Sequence, residues 1–507
     1  MMPDICVASH HASIAELLAD PEFLSLANKP GFLVELRLDA YSDLSAPNLA
    51  GALKRFAPKV VATFRHPAEG GRNAGVSDAE RLRFLQQAAD AGVEYVDIEA
   101  RTASAELAGF KKGRAKRVLS FHDFEGVPEL SELRKQFEGM AARADADVIK
   151  LACFPKSILD GGRLLEILQQ SKALGRPAIV LGMGEFGFWT RVAGPLFGSP
   201  FTFARSEGAP GTAPGQPTWQ ELDTLYRFRE IKADWPVYGV IGNPIGHSLS
   251  PLLHNTAFRE LKLKGLYLPF KVDCAPAEFL NAYGALKIQG LSVTIPHKET
   301  IGAACAEIDP LARSVGAINT LALRPNGKWF GTNTDAPAAA GALERAAGSL
   351  RGKKVLILGA GGAARAVAFG VKALGAEVLI GNRTYARAVS LAESVGGTAV
   401  DIRGMGVSPM STCHAIVNTT PLGMHPNIDT TPLEKDQIPQ GSIVFDTVYN
   451  PLRTKFLRLA AAQGCKTLEG WVMFVDQGIR QFELWTGKTP PRELLEKTVL
   501  EALKNRQ

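Results

Sequence analysis

Cysteine is scarce and scattered: six in 507 residues, at positions 6, 153, 274, 305, 413 and 465, with no C-x-x-C pair. This spacing argues against a disulfide framework or a cysteine zinc site and fits a reducing compartment. Long apolar runs are also missing. No uninterrupted stretch reaches the about 18 residues that a membrane span needs. The N-terminus, MMPDICVASH, lacks the basic-then-apolar build of a secretory leader. A cytoplasmic protein without a membrane partner is expected. Charge of one sign is not concentrated either. Lys and Arg number 57 against 51 Asp and Glu, a net +6, and no basic stripe interleaves with aromatics. That balance suits small anionic ligands and disfavours nucleic acid. No internal repeat or low-complexity segment is found. With 46% hydrophobic and 21% charged residues, the chain reads as globular, and its length implies about two to four domains.

What is present in the first 230 or so residues is a rhythm. Eight short β-type runs recur: ICVA (5–8), FLVEL (32–36), VVATF (60–64), VEYVDI (93–98), RVLSF (117–121), DVIKL (147–151), AIVLG (178–182) and FTFA (201–204). Helical patterns are expected between them. SDAERLRFLQQAADAG (77–92), for example, has a Ser N-cap, apolar positions 82, 85, 88 and 89, and a Gly stop. The alternation implies parallel strands with crossover helices. Eight of them imply a small (β/α)8 barrel, whose active groups lie at the C-terminal strand ends.

Those ends are polar. Glu35 and Arg37 close the second run, Arg65 and Glu69 follow the third, and His122 follows the fifth. Arg191 lies after the seventh, and Thr212 and Gln216 after the eighth. Lys150 interrupts the apolar run Val148–Phe154. A lysine there is costly unless its charge is satisfied or the amine is neutral. Two readings stand for Lys150 alone: a side chain snorkelling from a strand end, or an amine kept nucleophilic. So many groups on one rim disfavour a purely structural origin.

In order and spacing, VELRLD, TFRHPAEGG, SFHDFEG, DVIKLA and TAPGQ resemble a type I 3-dehydroquinate dehydratase. The resemblance implies a Schiff base between Lys150 and the substrate ketone, with His122 as proton shuttle and Glu69 orienting it. It implies that Arg191 holds the substrate carboxylate and that Glu35, Arg37, Arg65 and Gln216 hold the hydroxyls. Thr212 stands where a Ser is more familiar, and a hydroxyl is retained. The chemistry needs these residue types. An iminium is an electron sink that acidifies the adjacent proton, and a lysine forms it only as a neutral amine. A histidine can take that proton and return it to the leaving hydroxyl. Burial among Ile149, Leu151 and nearby arginines is expected to keep the Lys150 amine neutral.

TWQELDTLYRFREIKADWP (218–236) reads as a last barrel helix and a short connector, with a new strand starting at VYGVIG (237–242). Further on, KKVLILGAGGAARAVAFGVKALG (353–375) is a strand, a Gly-rich turn and a helix. This is a dinucleotide-binding arrangement, with Gly359, Ala360, Gly361, Gly362 and Ala363 forming the turn. The next strand, in EVLIGNRTYAR (377–387), lacks the acid expected for a bare ribose diol. Asn382, Arg383, Thr384 and Arg387 stand there instead and argue for a 2′-phosphate, hence NADP(H).

Other polar clusters surround this motif: IGNPIGHSLSP (241–251), SVTIPHK (292–298), GAINTL (316–321) and GTNTDAP (331–337). Later come NTTPLGMHP (418–426), DTVYNPLRT (446–454) and GWVMFVDQGIRQFELWTG (470–487). Each alone reads as a turn with a capping residue. As an ordered set they resemble shikimate dehydrogenase. The resemblance implies a catalytic pair, Lys298 and Asp335, with Ser248 and Ser250 on the substrate carboxylate. Thr294, Asn319, Tyr449 and Gln477 would contact ring hydroxyls, and Met424 and Gly470 the cofactor. Ala338 stands where a Gly is more usual.

The expected architecture is α/β throughout: an N-terminal (β/α)8 barrel over 1–233, an α/β substrate domain over 234–340 completed by 472–507, and a Rossmann-type nucleotide-binding domain over 341–471. The two resemblances imply consecutive reactions, dehydration of 3-dehydroquinate to 3-dehydroshikimate and NADPH-dependent reduction to shikimate, with no metal. Competing readings are a quinate-specific dehydrogenase, a Schiff-base aldolase and a non-catalytic metabolite sensor. The serine and arginine pairs favour shikimate and NADP, and His122, Glu69 and Arg191 favour dehydration. The presence of Lys150, His122, Lys298 and Asp335 disfavours a sensor. No role attaches to 401–412.

Overall fold

The structure, a computed structural model, describes residues 2–73, 75–402, 410 and 412–506. Its first eight strands are β1 (Asp4–Ala8), β2 (Phe32–Arg37), β3 (Val60–Thr63), β4 (Tyr95–Glu99), β5 (Lys116–Asp123), β6 (Val148–Cys153), β7 (Ala178–Gly182) and β8 (Phe201–Ala204). All pair in parallel, in the order β7-β6-β5-β4-β3-β2-β1-β8, so the sheet curls into a nearly closed barrel. Apolar and β-branched side chains bury both faces of these strands, as parallel strands under crossover helices require. Cys6, Leu33, Val61, Tyr95, Val118, Val148 and Phe201 fill one interior cluster.

The helix expected at 77–92 is Asp78–Asp90, with the Ser77 side chain accepting from Glu80 N. Two helical expectations fail. Between β4 and β5 there are turns only, because residues 100–115 carry two glycines and bury little beyond Leu107 and Ala115. The last barrel helix expected within 218–236 is a π-helical turn, Glu221–Leu225, followed by a 3-10 turn, Phe228–Glu230. Thr218 and Glu221 cap the start of the first turn, Thr218 N and Oγ1 donating to the Glu221 carboxylate and Glu221 N to Thr218 Oγ1, and the left-handed φ of 52° at Arg227 ends it.

The next strands are β9 (Val237–Gly242), β10 (Leu266–Lys271), β11 (Ile288–Val293), β12 (Glu307–Ile308), β13 (Thr320–Leu323) and β14 (Trp329–Thr332). They form a mixed sheet, ordered β10-β9-β11-β13-β14-β12. The third sheet holds β15 (Lys354–Leu358), β16 (Glu377–Gly381), β17 (Thr398–Val400), β18 (Ala415–Asn418), β19 (Ile443–Asp446) and β20 (Lys466–Leu468). Its parallel order, β17-β16-β15-β18-β19-β20, is the doubly wound nucleotide-binding order, with the switch point between β15 and β18. Two compact units result: 1–236 with 268–287, and 237–267 with 288–507. Residues 403–409 and 411, within the 401–412 stretch, lie outside the described residues.

Helix Asp335–Ala347 is alanine-rich where it meets helix Gly362–Ala373: a Cβ at Gly370 would come within 2.3 Å of the Ala336 carbonyl oxygen. Ala338, where Gly is more usual, is fully buried in this packing, and its N–H donates to the Thr334 carbonyl.

Candidate active sites

In the first unit one cavity is lined by Glu35, Arg37, Arg65, Glu69, His122, Lys150, Arg191, Thr212 and Gln216, all nine of the groups expected there. Glu35, Arg37, His122 and Lys150 lie on strands β2, β5 and β6 near the C-terminal rim, while Arg65, Glu69, Thr212 and Gln216 come from the turns beyond the strands and Arg191 from helix Gly184–Ala193. Lys150, 4% exposed, stands in β6, with Nζ 4.2 Å from the Phe203 ring centroid. Its Nζ donates to Asp97 Oδ2 at 3.0 Å. An apolar and cationic surround was expected, and Asp97 corrects it: the amine has a buried carboxylate partner.

Asp97 was missed by the sequence reading. It also accepts from Arg65 Nη2 at 2.9 Å and Ser120 Oγ at 2.6 Å. Burial pushes its carboxyl up, but Arg65 and then Lys150 outweigh that and hold it well below the ordinary aspartate value. Arg65 further donates to Glu99 at 3.0 Å and to Ser120 at 2.8 Å. Arg37 is chelated by Asp39 through Nε and Nη2 at 3.0 and 2.8 Å. The available signal was YVDIE in the fourth strand, where Asp97 and Glu99 alternate onto one face.

His122 Nδ1 lies 2.9 Å from Glu69 Oε2, which also accepts the His122 backbone N–H at 3.1 Å. Burial, then Arg65 and Lys150, lowers the imidazole well below its ordinary value, so the ring is neutral at neutral pH. Burial, opposed by Arg65, pushes Glu69 up to about 7. With Nδ1 bonded to Glu69, Nε2 is the ring atom left to exchange a proton with substrate. Arg191 is 1% exposed, with one hydrogen bond, to the Pro214 carbonyl at 3.3 Å; its Nε has no partner among the described residues. Burial alone lowers its guanidinium to about 10. A buried cation with no carboxylate partner among the described residues calls for an anionic ligand. Gln216 Oε1 accepts from Thr212 N and Oγ1 at 2.8 and 3.1 Å, while its Nε2 has no partner among the described residues.

In the second unit Lys298 Nζ sits 2.6 Å from Asp335 Oδ2. Lys298 occupies a 3-10 turn after β11, and Asp335 starts its helix. Asn319 is locked by Thr334 and Thr320, accepting Thr334 N at 2.7 Å and Thr320 Oγ1 at 2.7 Å. Ser248 Oγ accepts the Ser250 N–H at 3.2 Å, and Thr294 packs where a Cβ at Gly242 would stand, 2.4 Å away. Gln477 donates to the Phe474 carbonyl, and the Tyr449 ring lies 5.2 Å from Phe474.

Gly359 has a φ of +122°, and a Cβ there would meet Thr419 Oγ1 at 2.5 Å. At Gly361 and Gly362 a Cβ would meet nothing within 4 Å, so the backbone before helix Gly362–Ala373 is open to a pyrophosphate. Asn382 donates to the Thr384 carbonyl at 2.9 Å, and Arg383 and Arg387 are exposed beside it. These residues fit NADP. Among the described residues no cluster of His, Cys, Asp or Glu could hold a metal.

Fold and sites together define a two-part enzyme: a lysine-centred barrel lyase and a dinucleotide-dependent oxidoreductase. Family models agree. Type I 3-dehydroquinase matches residues 5–233. Shikimate dehydrogenase substrate binding domain matches 240–321, shikimate / quinate 5-dehydrogenase 342–417, and shikimate 5′-dehydrogenase C-terminal domain 470–500. The chain is 38% identical over 483 residues to the chloroplastic bifunctional 3-dehydroquinate dehydratase/shikimate dehydrogenase of Arabidopsis thaliana, covering 91% of this chain and 79% of the relative. It is 44% identical over 276 residues to the NADP(+) shikimate dehydrogenase of Methanosarcina barkeri, 53% of this chain and 98% of the relative. A crystal structure of shikimate dehydrogenase in complex with NADP+ aligns with a TM-score of 0.51 at 35% identity, covering 54% of this chain and 97% of that one. The chain belongs to the family of bifunctional 3-dehydroquinate dehydratase/shikimate dehydrogenases. It joins a lyase and an NADP-dependent oxidoreductase of the shikimate pathway in one polypeptide.

Proposed function

We propose that two sets of residues carry the two reactions. Lys150 adds to the ketone of 3-dehydroquinate and expels water to form an iminium. His122 Nε2 removes the adjacent proton, and the electron pair moves into the iminium. The same imidazole returns that proton to the departing hydroxyl, which leaves as water. A second water hydrolyses the iminium, releasing 3-dehydroshikimate and the amine. Glu69 holds the imidazole through Nδ1, and Arg191 takes the substrate carboxylate. Glu35, Arg37, Arg65, Thr212 and Gln216 face the hydroxyls. The observation that carries this reading is one cavity holding a buried lysine, a neutral histidine–carboxylate pair and a carboxylate-free buried arginine.

For the second reaction Lys298 donates to the carbonyl oxygen as negative charge develops there, and Asp335 holds the ammonium in place. Ser248 and Ser250 take the carboxylate; Thr294, Asn319, Tyr449 and Gln477 take the ring hydroxyls. When bound at 359–363, with Met424 and Gly470 on its nicotinamide side, NADPH supplies the hydride. Asn382, Arg383, Thr384 and Arg387 receive the 2′-phosphate. The division 1–233, 234–340 with 472–507, and 341–471 is part of the proposal, supported by three separate sheets. Small-molecule partners alone are proposed, with neither nucleic acid nor membrane; no helix among the described residues is long and apolar enough to cross a membrane. Six free thiols support a reducing, cytoplasmic setting, although the Arabidopsis relative is named chloroplastic.

The test is a single cuvette with 3-dehydroquinate and NADPH. NADPH is expected to be consumed. Lys150→Ala should cut that consumption by about a thousandfold or more, yet reduce added 3-dehydroshikimate normally. Loss of both activities in a folded variant would refute the separate-site assignment.

A further inference from the structure

Asp446, the last residue of β19, is fully buried, and among the described residues no ion pair reaches it. Three neutral donors hold its carboxylate: Asn418 Nδ2 at 2.9 Å and the Val448 N–H at 3.0 Å on Oδ1, and Thr454 Oγ1 at 2.6 Å on Oδ2. Burial without a cation pushes the acid up to about 6, against partial relief from those bonds. Its folded-state value is thus raised, so its ionised form at neutral pH subtracts from stability.

What the carboxylate holds is specific. Asn418 ends β18 and organises the turn after it, accepting Thr420 N and Oγ1 at 3.0 and 2.7 Å and donating to the Leu422 carbonyl at 3.3 Å. That turn leads to Met424. The Val448 bond fixes the turn that carries Tyr449, and Thr447 N and Oγ1 both return to the Asn418 carbonyl at 3.0 Å. The carbonyls of Thr447 and Val448 then press on Gly470, where a Cβ would come within 2.5 and 2.7 Å of them. Thr454 caps helix Lys455–Ala462 through Leu457 N.

We propose that Asp446 is a positioning residue of the reductase: its carboxylate sets the spacing of the Met424, Tyr449 and Gly470 segments, and so the wall against which a nicotinamide ring lies. The proposal rests on reading those three residues as facing cofactor and substrate. In the full-length enzyme, Asp446→Asn keeps the shape but presents an NH2 where the native group only accepts. Its KM for NADPH should rise roughly tenfold and its kcat for 3-dehydroshikimate should fall. Its Tm at neutral pH should hold or rise, and its dehydratase activity should be untouched. A purely structural role would instead lower Tm and leave the NADPH KM of the folded fraction alone.

Thr454→Val removes one donor and should shift the NADPH KM in the same direction by less. It decides the matter if Asp446→Asn fails to fold: an unchanged KM in Thr454→Val then overturns the proposal. Met424→Ala, at an exposed position, separates the two layers. If it raises the NADPH KM while folded Asp446→Asn stays within about twofold of wild type, the Asp446 proposal falls alone. If Met424→Ala is silent, the underlying placement of the nicotinamide wall falls first, and the proposal with it.

Discussion

Lys150 is held by a carboxylate that its own neighbours in sequence do not include. Asp97 lies on β4, two strands from β6, yet reaches Nζ at 3.0 Å while also binding Arg65. Asp97 thus pairs with both buried cations, and Glu99 gives Arg65 a second carboxylate. Asp97→Asn should destabilise the barrel by ~3–5 kcal/mol, because Lys150 loses its carboxylate partner while Arg65 keeps Glu99 alone. Dehydratase turnover should fall with it, as denaturant titration and steady-state assay would register; a fully stable, active variant would contradict this role. Glu69 makes a second prediction at this scale. Its folded-state value, about 7, lies above its ordinary 4.5. A raised acid stabilises the fold below its unfolded value, and that contribution is lost as pH rises through the folded one. The stability difference between wild type and Glu69→Gln should therefore shift against wild type between about pH 5 and pH 8, by up to ~3 kcal/mol. Urea titrations of the barrel transition at the two pH values would measure it, and a constant difference would exclude the linkage.

At the scale of elements, helix Gly184–Ala193 shows how a fold delivers one side chain. The helix closes on β7 through two glycines: a Cβ at Gly187 would lie 2.3 Å from Gly182 Cα. The Gly182 N–H donates to Thr190 Oγ1 at 2.8 Å, and Arg191 is the next residue. Gly187→Ala must push the helix off the strand and move the Arg191 guanidinium. The expected result is a KM for 3-dehydroquinate raised about tenfold, with about 1–3 kcal/mol lost from overpacking. Reductase kinetics should not change; a wild-type KM would show that Arg191 does not depend on this contact. Strand positions were legible in the sequence because buried parallel strands are short apolar runs between turns. The connections were less so. Residues 100–115 have neither helix nor strand, and 218–236 breaks into two short turns at Arg227, whose left-handed φ of 52° no helix interior adopts.

For the molecule as a whole, the product of the lyase is the ketone that the oxidoreductase reduces, so one chain carries two successive reactions. The sites share no residue. Asp335→Asn removes the carboxylate 2.6 Å from Lys298. It should lower reduction by about a hundredfold or more and leave dehydration at the wild-type rate, the mirror of Lys150→Ala. Following 3-dehydroshikimate formation and NADPH loss separately would expose any dependence of one on the other.

The sequence by itself made legible the polar groups on which the two proposed sites draw and the order of the motifs. Strand-end groups, glycine-rich turns and the arginines at 383 and 387 are local signals, written in consecutive residues. Tertiary structure alone decided which charges meet. Asp97 under Lys150, Glu99 and Ser120 around Arg65, and Asp446 beneath the 418–424 and 447–450 turns all join residues distant in the chain. The reason is physical. A buried polar group must find a partner within about 3 Å, and only the packing of strands and helices determines who stands at that distance.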